Sequence, residues 1–202
     1  MGGYKGTELE KDCDKATKII QAFIEHGKIS QQVIQNARGI AVFTGFRAGM
    51  YFAGSGGSGV VLARLADGTW SPPSAFSVRS GGVGLVYGVD FYDCVCVLNT
   101  PEAVEAYTNP ELELGGSVSL AAGPIGGNVG GAKDVKPVWT YTRSKGIYGG
   151  LTVDGTVIKE KASENAEFYG PGFSTAQILH GEVKLQEGEK WLAVRRLLDT
   201  LQ

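Results

Sequence analysis

A glycine-rich segment, FAGSGGSGVV, has the spacing that most directly suggests chemistry. Gly54, Gly56 and Gly59 match the G-x-G-x-x-G pattern with which dinucleotide-binding loops bring a pyrophosphate to a helix N-terminus. Such a loop needs a long helix directly after its third glycine and an acidic residue about 20 positions further on. Here six mostly apolar residues lead instead to Asp67-Gly68, which predicts a strand and a hairpin turn. We therefore interpret the segment as a glycine-lined bend between strands.

Other nucleophile and ligand types lie in patterns that favour structural roles. Ser55 between glycines resembles a nucleophile elbow, but that motif also demands a strand–turn–helix and a histidine partner. The two histidines, His26 and His180, each follow a predicted helix, where an imidazole favourably meets the carbonyl end. Cys94 and Cys96 share one face of a predicted strand and have no second ligand pair for zinc, which indicates reduced core thiols.

Asp90 and Asp93 flank the aromatic pair Phe91-Tyr92 and leave one enzymatic alternative open. If both acids line a buried pocket, they could act as an acid pair in an enzyme or hold a ligand in a small-ligand carrier. The competing interpretation is that Asp93 accepts hydrogen bonds within a strand. A deep polar pocket at these residues would favour the alternative, and a filled surface would remove it.

Composition narrows the class of protein. The 202-residue chain has a formal net charge of -2, which argues against a nucleic-acid binder. It has no apolar run of the roughly 18 residues that a membrane span needs, and its first thirty residues lack a secretory signal. The three cysteines form no disulfide framework, which favours a cytoplasmic location. The 31 glycines, about twice the average share, predict closely packed, curved β structure.

Helices are predicted at both ends of the chain. Thr7 and Glu10 form a capping box for a first helix that ends near His26. A short second helix follows from Ser30 to Ala37. Thr100 and Pro101 begin another within the β-rich middle, and the last helical segments are predicted at 163–168, 175–180 and 190–201.

The middle of the chain predicts an antiparallel sheet, and hence an α+β fold with a curved, glycine-rich sheet or barrel-like core between N-terminal and C-terminal helices. Asp67-Gly68 and Asp154-Gly155 each predict a hairpin turn. We expect one domain over residues 1–202, with helices in 1–39, the β-rich core in 40–161 and helices in 162–202. The predicted strands span 40–46, 50–53, 60–65, 75–79, 83–89, 91–98, 117–121, a stretch near 129, 138–142, 151–153 and 156–159.

The first helix carries a stripe of lysines. Lys11, Lys15 and Lys18 step by four and three residues and therefore share one helical face, opposite the apolar face that Leu9 begins. An interfacial helix needs its cations beside its apolar face. The pattern leaves two alternatives: the apolar face packs on the sheet and the lysines stay exposed, or it inserts in lipid and the lysines point to water.

Five stretches, read in chain order, resemble the SYLF domain, a family found in fungal actin-patch proteins, an animal phosphoinositide-binding adaptor, plant FYVE proteins and bacteria. Each stretch is weak alone, but the ordered set is specific and covers most of the chain. The stretches are ARGIAVFTGFRAGMYFAGSGGSGVVLARLADGTWSPPSAF, DFYDCVCVLNTPEAVEAY, LGGSVSLAAGPIGGNVG, TYTRSKGIYGGLTVDGTVIKEK and NAEFYG.

The resemblance implies a non-enzymatic module without a cofactor or metal. Relatives bind phosphoinositide membranes, in some through an N-terminal amphipathic helix, and fungal relatives also bind and bundle actin filaments at endocytic sites. We therefore expect phosphoinositide membranes, and also actin filaments, as partners of a cytoplasmic protein that is peripheral at membranes or cortical actin. The candidate lipid-binding or actin-binding residues are Lys5, Lys11, Lys15, Lys18, Lys28 and Arg38.

Two features depart from the family pattern. The 202 residues contain no counterpart of the Src-homology-3 domain that the fungal proteins usually add, so we expect either a minimal member of the family or a fragment of a longer protein. The lysines of residues 1–28 are balanced by an equal number of acids. Since each lysine near an anionic surface contributes only about 1 kcal/mol, we expect weak electrostatic binding through the first helix.

Overall fold

The computed structural model describes residues 5–109, 111–114, 138–144 and 147–202. At strand positions 47, 51–55, 80–87, 111–114, 144 and 147–156 it describes the backbone alone. Helices and one antiparallel sheet confirm the α+β class. In chain order the elements are α1 (Glu8–Glu25), α2 (Gln31–Asn36), β1 (Gly39–Ala63), β2 (Ser74–Leu98), α3 (Pro101–Ala106), β3 (Glu111–Leu114), β4 (Val138–Ser144), β5 (Ile147–Glu160), α4 (Ala162–Tyr169), α5 (Thr175–Leu179), a 3-10 turn (Glu189–Trp191) and α6 (Leu192–Thr200).

The sheet is organised around one long ribbon. β1 and β2, 25 residues each, pair antiparallel along nearly their whole length. The second edge of β2 pairs first with β5 and then with β4, and β3 pairs with the outer edge of β5. In the described residues β3 and β4 do not pair with each other, so the five-stranded sheet is not closed into a barrel.

β1 folds back on itself through its glycines. The N–H of Arg64 donates to the carbonyl of Arg38 at 2.8 Å, which brings the two ends of β1 together. A Cβ placed on Gly59 would lie 1.9 Å from the carbonyl oxygen of Val42. At Gly57 it would lie 2.3 Å from the carbonyl oxygen of Thr44. Only glycine permits this approach of backbone to backbone. The G-x-G-x-x-G match is therefore strand structure and not a nucleotide loop, but the predicted bend between two strands was wrong, because the match lies within the continuous β1.

The two predicted Asp-Gly turns differ in outcome. Asp67-Gly68 does turn: Gly68 has a φ of +86°, and the N–H of Leu65 donates to the carbonyl of Thr69 at 2.7 Å. The prediction at Asp154-Gly155 was wrong, because β5 runs straight through these residues opposite Gly82 and Gly81 of β2. A ladder that continues on both sides outweighs the local turn preference.

The short strands predicted within β1 and β2 are parts of two continuous strands, because the neighbouring strand holds even the glycine-rich stretches in register. The predicted strand at 138–142 is confirmed as β4. The predicted strands at 117–121 and near 129 lie outside the described residues.

Both faces of the sheet are covered by apolar packing. On one face α1, α4 and α6 pack over Ile40, Val42, Val95 and Val97. On the other, a second cluster includes Phe43, Phe76 and Tyr107. Cys94 and Cys96 belong to this second cluster, with their sulfur atoms 3.9 Å apart, so the prediction of buried, reduced thiols is confirmed.

A buried polar network joins α4 to the start of β2. The side-chain oxygen of Asn165 accepts from the N–H of Ala75 at 2.9 Å, and its amide donates to the hydroxyl of Ser74 at 3.0 Å. The Ser74 hydroxyl also contacts that of Thr175. Because every partner is hydrogen-bonded, the network positions the C-terminal helices on the sheet at little desolvation cost. Among the described helices, none is both long and apolar enough to cross a membrane.

Candidate interaction surfaces

The first helix is packed on the protein. Its capping box forms as predicted, with the N–H of Thr7 donating to Glu10 Oε2 at 2.7 Å. Its apolar side chains, from Leu9 to Phe23, are buried against the sheet and α6. The first alternative from the sequence therefore describes the structure: the apolar face is covered, and the lysines remain outside.

The lysine stripe (Lys11, Lys15 and Lys18) is exposed along the outer face of α1. Lys11 forms a 2.9 Å ion pair with Glu8, whose hydrogen bond raises the pKa of the lysine. Lys15 and Lys18 have no carboxylate within 4.0 Å among the described residues. The stripe thus presents two unpaired cations and one that a neighbouring carboxylate offsets.

An acidic contact lies behind the stripe, where α1 meets α4. Asp12 is 7% exposed and faces Glu164 of α4 and Lys161 just before that helix, with Lys15 and Glu8 beside it on α1. Burial, and next the charge of Glu164, raises the pKa of Asp12 to about 6. Glu164 pairs with Lys161 through one oxygen, and its other oxygen is buried without a hydrogen bond. The docking of α1 therefore places two carboxylates in one partly desolvated contact.

Replacing Asp12 with asparagine is expected to stabilise the protein by about 1–2 kcal/mol at about pH 7.5 and far less at about pH 4. The pKa of about 6 in the folded state lies above the ordinary aspartate pKa of 3.8. Protonation of Asp12 therefore favours the folded state, and the contribution of Asp12 to stability rises as the pH falls from about 7 to about 4. Urea unfolding at the two pH values measures the effect.

Asp14→Asn is the control, because Asp14 is half-exposed and its ion pair with Arg196 is long, at 3.8 Å. It should change stability by less than about 0.5 kcal/mol at either pH. A pH-independent gain from Asp12→Asn would contradict the electrostatic explanation.

Two cations lie around the ring of Phe23 near the C-terminal end of α1. The Lys28 ammonium is 5.9 Å and the Arg143 guanidinium 6.0 Å from the ring centroid, both within cation–π range. Arg143 also pairs with Asp93 at 3.0 Å across the β2–β4 ladder. This end of the helix layer therefore carries positive charge, of which Asp93 offsets a part.

An exposed apolar strip (Phe46, Met50, Val89 and Phe91) continues the same sheet face beyond the helices. Phe46 lies opposite Phe91 in the β1–β2 ladder, with ring centroids 5.0 Å apart. These positions have the same alternation as the helix-covered Ile40 and Val42, so they lie on the same face. The four side chains are 43%, 69%, 52% and 61% exposed. Exposed apolar side chains grouped on one face of a ribbon in this way are typical of an interaction surface.

Asp90 and Asp93 do not form the acid pair of the enzymatic alternative. They are three residues apart in one continuous strand, so their side chains point to opposite faces of the sheet. Both are buried, and Asp93 is an ion-pair partner of Arg143. In the part of the chain that the structure describes, no group of three or more His, Cys, Asp or Glu side chains could hold a metal ion.

The remaining candidate residues are dispersed. Lys5 is exposed before α1, and Arg38 lies beside Arg64 in a groove that contains none of the five candidate lysines. Both histidines end helices as expected: His26 contacts the Ala22 carbonyl at 2.7 Å, and His180 follows α5. The six candidate cations therefore do not form one site.

The apolar strip was missed by the sequence analysis. Its signal was present, because Phe46, Ala48 and Met50 alternate along β1 and Val89 and Phe91 alternate along β2. In a sheet with two covered faces, however, such alternation gives no indication of where the covering helices end. Only the register of the ribbon and the length of α1 show which apolar residues stay exposed.

Comparison with known proteins gives a consistent picture. The family model Ysc84, described as "Las17-binding protein actin regulator", matches residues 79–202. Protein YSC84 of Saccharomyces cerevisiae is 37% identical over 190 residues, which cover 88% of this chain and 41% of that protein. LAS seventeen-binding protein 3 of the same species is 36% identical, with 87% and 41% covered.

A mammalian protein is equally similar. SH3 domain-containing YSC84-like protein 1 of Mus musculus is 37% identical over 188 residues, 88% of this chain and 55% of that protein. The chain thus spans between 41% and 55% of the length of these relatives. No solved structure matches.

Proposed function

The chain belongs to the Ysc84 family of actin regulators, and from this premise we propose that it is a non-enzymatic module that binds anionic, phosphoinositide-bearing membranes. The observation that carries the proposal is the exposed apolar strip, whose Phe91 lies on the same face of β2 as Asp93, the ladder partner of Arg143. An apolar surface bordered by lysine or arginine suits the boundary between acyl chains and headgroups.

The apolar area of the strip contributes more to the proposed membrane binding than the charge of the nearby cations does. Moving a phenylalanine side chain from water into an apolar environment contributes about 1.5–3 kcal/mol. A lysine near an anionic surface adds about 1 kcal/mol. Phe46 and Phe91, which are 43% and 61% exposed, can each supply about half of the first contribution, and Lys28 can supply the second. Arg143 contributes less because Asp93 already pairs with it. Weak, salt-sensitive binding follows.

Because α1 is packed on the protein, its apolar face is not free to contact a membrane. The resemblance to lipid-binding relatives implies that an amphipathic first helix contacts the membrane. In this chain the apolar face of α1 is buried in the core, and exposing it would uncover residues such as Leu9, Ile20 and Phe23. The apolar strip provides contact area without this cost, and the lysines of α1 can add long-range attraction.

The first test is co-sedimentation with vesicles that contain phosphatidylinositol 4,5-bisphosphate, with neutral vesicles as the control. We expect pelleting with the anionic vesicles at low salt and less pelleting at about 0.15 M salt, because screening weakens charge attraction. Equal pelleting with neutral vesicles, or none with anionic vesicles at low salt, would contradict the proposal.

Actin filaments are a second candidate partner, favoured by the family description and by the outward-facing Lys15 and Lys18. Filament surfaces are acidic, and an exposed lysine stripe on a packed helix can reach them without rearrangement. Co-sedimentation with filaments tests this candidate. The double variant Lys15→Glu/Lys18→Glu should no longer pellet with filaments. If the unmodified protein does not pellet with filaments, actin is excluded as a partner.

A further inference from the structure

The acidic contact between α1 and α4 holds two buried carboxylates that lack hydrogen-bond donors. Asp12 is 7% exposed, and among the described residues its carboxylate makes no ion pair or hydrogen bond. Glu164 is 9% exposed, and its Oε2 is buried without a hydrogen bond. A carboxylate that has left water without gaining a donor is costly in its ionised form. The contact therefore favours a bound proton or cation.

The surroundings of Asp12 oppose its ionisation. Burial is the largest reason why its pKa is raised to about 6. After burial, the charged groups that act on it are, in order of effect, Glu164, Lys161, Lys15 and Glu8. Lys161 is already paired with Glu164. On α6, Arg196 faces Asp14 instead, and β1 and β2 meet α1 with apolar side chains. Within the described part of the chain, ionised Asp12 therefore has no cation of its own.

We propose that Asp12 and Glu164 hold one proton between them, and that loss of this proton near neutral pH loosens the N-terminal half of α1. Lys161 keeps Glu164 ionised, so the proton resides on Asp12 and is donated to the unpartnered Oε2 of Glu164. When this proton latch (Asp12 and Glu164) is empty, two buried carboxylates repel each other across the helix contact. Opening of the helix returns both to water, so ionisation favours the open form.

The latch acts on one end of the helix. Asp12 lies in the second turn of α1, and Leu9, Cys13 and Ala16 are the fully buried side chains around it. The other half of α1 is held separately, through residues such as Phe23. Opening at Asp12 therefore uncovers part of the apolar face of α1 without unfolding the sheet. Exposure of that face depends on pH whether or not the protein binds membranes.

Hydrogen exchange of backbone amides tests the latch. After correction for the intrinsic exchange rate, the protection of Cys13 and Ala16 should fall about tenfold between about pH 5 and about pH 7.5. This factor follows from a pKa of about 6 for Asp12 in the closed helix and an ordinary pKa of 3.8 in the open one. Exchange should also be nearly independent of low urea concentrations, because a local opening exposes little surface.

Three variants assign the effect to the latch. Asp12→Asn should abolish the fall in protection, because it removes the titrating carboxyl group. Asp14→Asn is the matched control in the same helix and should retain the fall, since Asp14 is half-exposed and faces α6. Glu164→Gln should reduce the fall, because the second carboxylate is gone while Asp12 remains buried.

Several results would overturn the proposal. Protection that does not fall in the unmodified protein, or that falls equally in Asp12→Asn, would exclude Asp12 as the controlling group. If Cys13 shows the protection and urea dependence of Val95 in β2, α1 opens only when the whole protein unfolds. Protection restored by calcium chloride at about pH 7.5 would identify a cation, and not a proton, as the bound species. Local, urea-independent exchange whose pH dependence disappears in Asp12→Asn but not in Asp14→Asn is the result that the latch requires.

Discussion

Replacing Gly59 with alanine is expected to destabilise the fold by about 3 kcal/mol or more. The added methyl carbon would lie 1.9 Å from the carbonyl oxygen of Val42 and 2.6 Å from the Cα of Phe43. Both are backbone atoms, so no side chain can rotate away to make room. The two ends of β1 would have to separate, and that separation would disturb the packing of Ile40 and Val42 beneath the helices.

The matched control is Gly56→Ala, three residues earlier in the same strand. Its added carbon would meet nothing closer than the carbonyl oxygen of Val78 at 3.9 Å, an ordinary contact. Urea unfolding followed by circular dichroism should therefore separate the two variants by a lower denaturation midpoint for Gly59→Ala alone. Equal midpoints would show that β1 does not fold back as closely as described.

The same glycine shows why sequence predicted some features and not others. Gly59 completes a G-x-G-x-x-G match, and the residues that follow it were enough to reject a nucleotide loop. The positive reason for glycine there is a contact with Val42, seventeen residues earlier, and this contact follows from the folding back of β1. Spacing in the sequence gives no information about such an approach.

Helices were predictable because their signals are local. Thr7 and Glu10 form the capping box within one turn, and Gly27 after His26 adopts the left-handed conformation with a φ of +68°. Strand boundaries depend on partners instead. Asp154-Gly155 has the composition of a turn but lies in β5, because β2 supplies hydrogen-bond partners on both sides of it.

The candidate surfaces also differ in whether a local sequence pattern predicts them. The lysine stripe follows from helical periodicity alone, and the structure places all three lysines outside. The groove beside α3 and α5 is lined by Arg38, Arg64 and His180, residues from three distant parts of the chain, so no local pattern could indicate it. Arg38 was singled out from the sequence, but as one of six cations, without its partners.

The double replacement Phe46→Ser/Phe91→Ser is expected to weaken binding to phosphoinositide vesicles by about tenfold or more. Full transfer of a phenylalanine side chain out of water contributes about 1.5–3 kcal/mol, and only the exposed 43% of Phe46 and 61% of Phe91 remain to be transferred, so losing both removes at least about 1.5 kcal/mol. The fold should survive, because the two rings contact each other and are 43% and 61% exposed. Unfolding midpoints measured beside the vesicle titration establish that it does.

Phe173→Ser provides the control, since Phe173 is also 43% exposed but lies before α5, outside the strip. If apolar contact of any kind drove pelleting, this variant would lose binding as well. A charge-only mechanism makes a different prediction: both phenylalanine variants would bind normally, and added salt alone would release the protein. Loss confined to Phe46→Ser/Phe91→Ser, with residual salt-sensitive attraction from cations such as Lys28, is the result that requires the strip itself to enter the membrane.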